Sequence, residues 1–287
     1  MNLTGHRIVV TGATGFIGSY VTKGLLEGGA EVYAIVRQNS LNRARLLAHE
    51  NLHIIHGTIE NISDCVNQIG HADGFLHFAW GGVNRNEIDS PEVQKKNIES
   101  SIRCIQAAIK MECNIFMDAG SRVEYGITKD GTMSEDMDCH PINEYGKAKL
   151  EFYQRARIIC QENKLKYYHL RFFSVYGTGD HPWSIISTLT RDLPLGKTIS
   201  LSACSHKWNF MHIDDAAQAV IKLYYYSKCK SDSICIVNVA SHDTRKLKSF
   251  VEEIYNLCGH RGKLEYGSFQ QASEGALSIC PTVDTLE

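Results

Sequence analysis

Residues 8–18 read Ile-Val-Val-Thr-Gly-Ala-Thr-Gly-Phe-Ile-Gly, and this stretch restricts the fold more than any other. Ile8, Val9 and Val10 form an apolar run of the kind buried in a parallel sheet. Gly12, Gly15 and Gly18 follow where a strand would turn into a helix. In such a turn the first glycine permits the tight bend, the second leaves the backbone open to a pyrophosphate, and the third lets the helix pack close to the strand. The helix start beyond it offers unpaired N–H groups and a positive dipole end to phosphates. Val21 and Leu25 share one helical face, Gly28-Gly29 stops the helix, and Glu31 to Val36 alternates into a second strand. Strand, turn, helix and second strand in that order predict a dinucleotide site, which three glycines alone would not.

The same alternation continues. Asn51 to His56, Gly74 to Phe78, Asn114 to Met117 and Leu165 to Phe173 read as strands. Residues 91–110 are helical in period, with Val93, Ile98, Ile102, Ile105 and Ile109 on one face, Ser90 as N-cap and Pro91 in the first turn. Residues 144–160 read as a further helix. Strands alternating with helices predict an α/β fold, a doubly wound parallel sheet covered on both faces. The dinucleotide-binding domain is expected over residues 1–174. Loops such as Gly177 to Pro182 and Leu193 to Gly196 then change the texture. Residues 175–287 are expected to form mainly a smaller substrate-binding lobe, with 208–228 returning to the first domain.

A net charge of −2 gives no reason to expect nucleic acid or an anionic membrane as partner. No apolar run approaches the roughly 18–20 residues that span a bilayer, and the chain enters a core strand almost at once, so no signal peptide is expected. Ten cysteines are scattered without a Cys-x-x-Cys pair, which predicts reduced, mostly buried thiols in a cytoplasmic protein and no zinc site. The dispersed histidines likewise predict no metal.

Tyr145-Gly-Lys-Ala-Lys149 is the second informative feature. Tyr and Lys four apart on a helix share a face. An ammonium near a phenol favours the phenolate and lowers its pKa, and such a phenol can exchange a proton with a sugar hydroxyl or carbonyl. The plain alternative is an ordinary surface Tyr and Lys.

Together with the glycine turn, this pair resembles the extended short-chain dehydrogenase/reductase family of Rossmann-fold nucleotide-sugar epimerases, dehydratases and reductases. The resemblance runs over most of the chain. It includes Phe75-Leu-His77-Phe-Ala79, Asn97, Phe116-Met-Asp-Ala-Gly-Ser121-Arg-Val-Glu-Tyr125-Gly126, Ser134-Glu135 through Pro141, Arg171-Phe-Phe-Ser-Val-Tyr176-Gly177, Trp208-Asn-Phe-Met-His-Ile-Asp214-Asp215 and Asn238. It implies Tyr145 as acid/base, Lys149 on the nicotinamide ribose and Ser121 on the reacting oxygen. It implies cofactor contacts at Gly12, Thr14, Gly15, Phe16, Ile17, Gly18, Arg37, Thr58, Ile59, Phe78, Ala79, Trp80, Asn97, Tyr145, Lys149 and Phe172. Substrate contacts are implied at Trp80, Ser121, Arg122, Tyr145, Ser174 and Lys207. A nucleotide-sugar substrate and a homodimer built on helices 91–110 and 144–160 are also implied by resemblance.

Departures narrow this expectation. Arg37 closes the second strand where a NAD enzyme usually presents a carboxylate to the ribose, and an Arg there accommodates a 2′-phosphate. NADP(H) is therefore expected over NAD(H), although a surface Arg stacked on adenine is the alternative. Family 4,6-dehydratases carry Asp-Glu after the catalytic Ser/Thr; here Arg122 and Val123 follow, and on a strand-like path Glu124 would face away. Ser174 replaces a motif Asn and Trp208 an Arg, with Lys207 before it as either a diphosphate contact or a solvated surface Lys. Trp80 is expected against the sugar or a base, or packed as a core aromatic, and Thr58 stands where relatives have Asp near adenine. Pro281 to Asp284 resembles the approach to a last family helix, so a further tail is expected. The favoured expectation is an NADP-dependent reductase of a nucleotide-linked 4-keto-deoxyhexose. A 4-epimerase with tightly bound cofactor comes next, then other carbonyl or alcohol oxidoreductases of this fold. A non-catalytic NADP-binding regulator is disfavoured by the retained Ser121, Tyr145 and Lys149.

Overall fold

The apolar runs that alternate with glycine turns all become parallel strands. In the computed structural model, which describes residues 1–84, 87–128, 130–227, 234–268 and 278–286, β1 (Arg7–Thr11), α1 (Phe16–Glu27), β2 (Glu31–Val36) and β3 (Leu52–His56) come first. Then follow α2 (Ser63–Ile69), β4 (Gly74–His77), α3 (Pro91–Lys110), β5 (Ile115–Ser121), β6 (Thr132–Met133), α4 (Glu144–Glu162) and β7 (Lys166–Phe172). The remainder comprises β8 (Ser174–Tyr176), α5 (Ile185–Asp192), β9 (Thr198–Leu201), β10 (Lys207–His212), α6 (Ile213–Ser227), β11 (Ile234–Val239), β12 (Thr244–Lys246), α7 (Leu247–Leu257), β13 (Lys263–Tyr266) and β14 (Cys280–Pro281). Cys229 and Glu287 lie outside the described residues.

Seven strands form one parallel sheet in the order β11-β7-β5-β4-β1-β2-β3. The order reverses between β4 and β1, and in open parallel sheets that reversal makes a crevice at the strand C-termini where ligands bind. Successive side chains leave a strand on opposite faces. Val10, Leu76 and Met117 accordingly join α1 and α6 in one core cluster, while their neighbours Val9, Phe75 and Phe116 join α2, α3 and α4 in the other. Local chemistry starts the helices. Ser90 accepts from the Val93 amide at 3.4 Å ahead of Pro91, and Asn143 accepts from the Gly146 amide at 2.8 Å at the head of α4.

The lobe holds a three-stranded sheet, β12-β10-β8, and the pair β13-β9, with its own core of Leu189, Leu193, Leu201, Leu247 and Val251. Two details differ from the sequence expectation. β11 lies beyond residue 228 yet is the edge strand of the main sheet, because its Val237 and Val239 complete the first core cluster. Short α2 was not anticipated: seven residues burying Cys65, Val66 and Ile69 are too few for a helical period to stand out. The described cysteines are all free; Cys65, Cys104, Cys113, Cys160 and Cys204 are buried. No helix among the described residues is long and apolar enough to cross a membrane.

Candidate active site

The crevice begins at the glycine turn. Gly12 has φ +71°, which favours glycine, and a Cβ there would fall 2.6 Å from the Phe78 carbonyl carbon and the Ala79 nitrogen. A Cβ on Gly18 would lie 2.2 Å from the Gly12 carbonyl oxygen, whereas on Gly15 it would meet only that oxygen, at 3.0 Å. The turn is thus packed beneath and open above, which fits a pyrophosphate against the start of α1. Phe16 and Ile17 open that helix. Thr14 accepts a hydrogen bond from the Ser40 hydroxyl at 3.1 Å, and Ser40 closes the turn that exposed Arg37 begins. Across β2, the Thr58 hydroxyl donates to Asn61 at 2.7 Å, and Ile59 packs into the second core cluster.

The chemistry gathers where β4, β5 and α4 meet. Lys149, one helical turn beyond half-buried Tyr145, is 3 % exposed and donates to the Ala119 carbonyl at 2.7 Å. The Trp80 indole covers it, with the ammonium 3.4 Å from the ring centre. Trp80 also meets Tyr145 edge-on at 6.3 Å and donates to Gln94 at 2.9 Å. It therefore packs both on the Lys149–Tyr145 pair and, with Phe152 at 6.2 Å, against the second core cluster. Asn97 accepts from the Gly81 amide at 3.0 Å and donates to its carbonyl at 2.9 Å, so its amide clamps the loop that carries Trp80. Phe78 and Phe172 meet edge-on at 6.4 Å.

The electrostatic balance differs from the sequence expectation. Burial pushes the Tyr145 phenol up, hydrogen bonding with Ser121 opposes it, and the charges of Glu124 and Asp118 push further up. Burial also drives Lys149 down to about 7 against the pull of Asp118 and Glu124. The net shift of the Tyr145 phenol is thus upward, with the Lys149 ammonium 5.7 Å from the phenol ring centre.

A second correction concerns Glu124. The chain does not continue as a strand after Ser121 but turns through one short helical turn, Arg122–Glu124. Glu124 is swung inward and is 0 % exposed. One oxygen accepts the Ser121 amide at 2.6 Å; the other accepts from His169 Nε2 at 2.8 Å and Arg171 Nε at 2.9 Å. The opposite ring nitrogen of His169 sits 3.0 Å from Asp118. Burial alone would raise the Glu124 carboxyl, but His169, Arg171 and the Ser121 amide together hold it below the usual range. His169, desolvated but flanked by Asp118 and Glu124, is raised to about 9 and carries a proton. A Cβ on Gly120 would lie 2.5 Å from the His169 ring, so glycine is needed where this network passes under Ser121. Asp118 and His169 were missed, although a charged residue and a His inside two apolar strand runs were a visible signal.

On the lobe side, the Arg122 guanidinium lies over the Trp208 ring, 5.3 Å from its centre. Ser174 opens β8 and pairs with Phe210. Lys207 is exposed, and strand alternation turns it to the face opposite Trp208. The sequence grouped Lys207 with Ser121 and Arg122; Arg122 follows Ser121 at the end of β5, whereas Lys207 stands exposed at the start of β10.

The family described as the NAD dependent epimerase/dehydratase family matches residues 8–240. A UDP-glucose 4-epimerase of Cyamopsis tetragonoloba is 30% identical over 204 residues, 67% of this chain, and the match spans 57% of that relative's length. A dTDP-6-deoxy-L-talose 4-dehydrogenase (NAD(+)) of Aggregatibacter actinomycetemcomitans is 26% identical over 95% of this chain and 98% of its own. Among solved structures, MoeE5 in complex with UDP-glucuronic acid and NAD superposes with a TM-score of 0.81 at 26% identity, over 98% of this chain and 91% of that one.

Proposed function

The chain belongs to the NAD dependent epimerase/dehydratase family, and from that premise we propose that it is an NADP-dependent reductase of a nucleotide-linked 4-keto-deoxyhexose. When bound, the nicotinamide supplies the hydride. Tyr145 protonates the oxygen of the carbonyl being reduced, and Ser121 holds that oxygen. Lys149, buried beside Tyr145, binds the nicotinamide ribose. Gly12, Thr14, Gly15, Phe16, Ile17 and Gly18 receive the pyrophosphate, with Thr58, Ile59, Phe78, Ala79, Asn97 and Phe172 lining the cofactor's path.

One observation carries the choice of reductase: exposed Arg37 directly follows β2 with no carboxylate beside it, and Ser40 brings a hydroxyl onto Thr14. A guanidinium and a hydroxyl at that strand end suit a 2′-phosphate, and NADPH is the pool a net reduction draws on. Titrating the protein with NADPH and NADH tests this. Tighter NADPH binding that Arg37→Ala reduces at least tenfold supports it; equal binding of the two cofactors overturns it.

A nucleotide-sugar 4-epimerase is the second reading, favoured by the Cyamopsis relative. It needs the same three residues but returns the hydride, so cofactor would copurify and none would be consumed. In either case a homodimer is proposed through α3 and α4, which pack side by side with Arg155 on Glu99 at 2.7 Å; sedimentation velocity tests it.

A further inference from the structure

Buried charge around the site is answered by opposite charge: Arg171 by Glu124, and His169 by Glu124 and Asp118. Lys149 is answered by the Ala119 carbonyl and the Trp80 face; Arg122 has no such polar partner for its side chain among the described residues. It follows Ser121 directly and is half-buried. Its guanidinium lies over the face of Trp208, 5.3 Å from guanidinium carbon to ring centre; its side chain makes no hydrogen bond or ion pair with any described residue. Burial, unrelieved by any partner, pushes it down to about 10. A guanidinium stacked on an aromatic face keeps its in-plane N–H fork free, and that fork matches a carboxylate or phosphate. Withdrawing a charge from water without a partner is unfavourable, so such a position favours a ligand that brings the counter-charge.

We propose that Arg122, held on Trp208, grips an oxyanion of the substrate, either a phosphate of its diphosphate or a carboxylate on its sugar. The inference rests on the nucleotide-sugar reading and deepens it. Ser121 and Arg122 are adjacent at the end of β5, so the group that Arg122 holds belongs to the same molecule whose reacting oxygen Ser121 would hold. Lys207, exposed and on the other strand face, does not compete for it.

Calorimetric titration of the full chain, with NADP⁺ present, tests this using UDP, UDP-glucose, UDP-glucuronate, dTDP and dTDP-glucose as probes. The wild type is expected to bind at least one. Arg122→Met should weaken that binding at least tenfold, and Arg122→Lys should recover part of it. The melting temperature of ligand-free Arg122→Met should hold or rise, because an unanswered cation has been removed; a purely structural Arg122 would lower it. Weakening shared by the free diphosphates assigns the phosphate, and weakening confined to UDP-glucuronate assigns the carboxylate. Equal affinity in wild type and Arg122→Met overturns the inference while leaving the nucleotide-sugar reading standing. Binding lost in step with a collapsed melting temperature in both variants also overturns it. A wild type that binds no probe overturns the nucleotide-sugar reading and this inference with it.

Discussion

The Lys149 ammonium lies 3.4 Å from the centre of the Trp80 indole, with its other side on the Ala119 carbonyl. A desolvated cation–π contact is worth up to about 2 kcal/mol. The indole also covers Lys149, which burial holds down to about 7. Trp80→Ala is therefore expected to cost about 2–3 kcal/mol of stability. It should also raise the Lys149 pKa toward its ordinary 10.5. Thermal melts and the pH profile of kcat/KM check both, and an unmoved profile would contradict the shielding role.

Glu124 ties Ser121 to a buried charge network, so its removal should act on fold and site together. Glu124→Ala leaves His169 and Arg171 buried without their shared partner, and breaking such a pair costs about 3–5 kcal/mol. Glu124→Gln keeps an oxygen for the Ser121 amide and should be milder in melting temperature while still lowering kcat. Equal melting temperatures for the two variants would contradict this account.

Two buried groups pull the pH dependence of stability in opposite directions. His169 has a folded pKa of about 9, above its ordinary 6.5, so its contribution is complete below about pH 6.5 and is lost as pH rises through 9. Lys149 falls from 10.5 to about 7, so between those values the unfolded chain holds a proton that the folded protein has released, and stability rises with pH. Between pH 7 and 9 the two slopes oppose. Wild-type melting temperature should be nearly flat there. His169→Asn should leave a rising slope and Lys149→Met a falling one. A shared slope in all three proteins would contradict the assignment.

The glycines separate folding from cofactor binding. An added Cβ on Gly18 falls 2.2 Å from the Gly12 oxygen, and overpacking of this kind costs about 1–3 kcal/mol. On Gly15 it meets only that oxygen, at 3.0 Å. Gly15→Ala should therefore keep most of its melting temperature and lose cofactor affinity, whereas Gly18→Ala should lose both; fluorescence titration and thermal melts distinguish them.

Features encoded over a few residues were legible in the sequence. The glycine turn, the Ser90 cap and the Tyr145–Lys149 spacing each depend on neighbours within one helical turn. What was not legible depends on strand register or on where a strand stops. Asp118 and His169 are 51 residues apart and meet because β5 and β7 pair in register. Glu124 points inward only because the strand ends at Ser121. Lys207 and Trp208 differ by one position, and that position decides which strand face each occupies. The Tyr145 phenol moved against the simple Tyr–Lys expectation because burial and the charges of Glu124 and Asp118 push it up together, and both belong to the packed molecule.

The most direct measurement on the proposed chemistry compares Tyr145→Phe with wild type in NADPH binding by fluorescence and in turnover by absorbance at 340 nm with a nucleotide-linked 4-keto-6-deoxyhexose. Acid–base catalysis contributes about 10²–10⁴-fold, so turnover should fall by at least a hundredfold while NADPH affinity stays within about twofold of wild type. Undiminished turnover would contradict the assignment of Tyr145 as the proton donor.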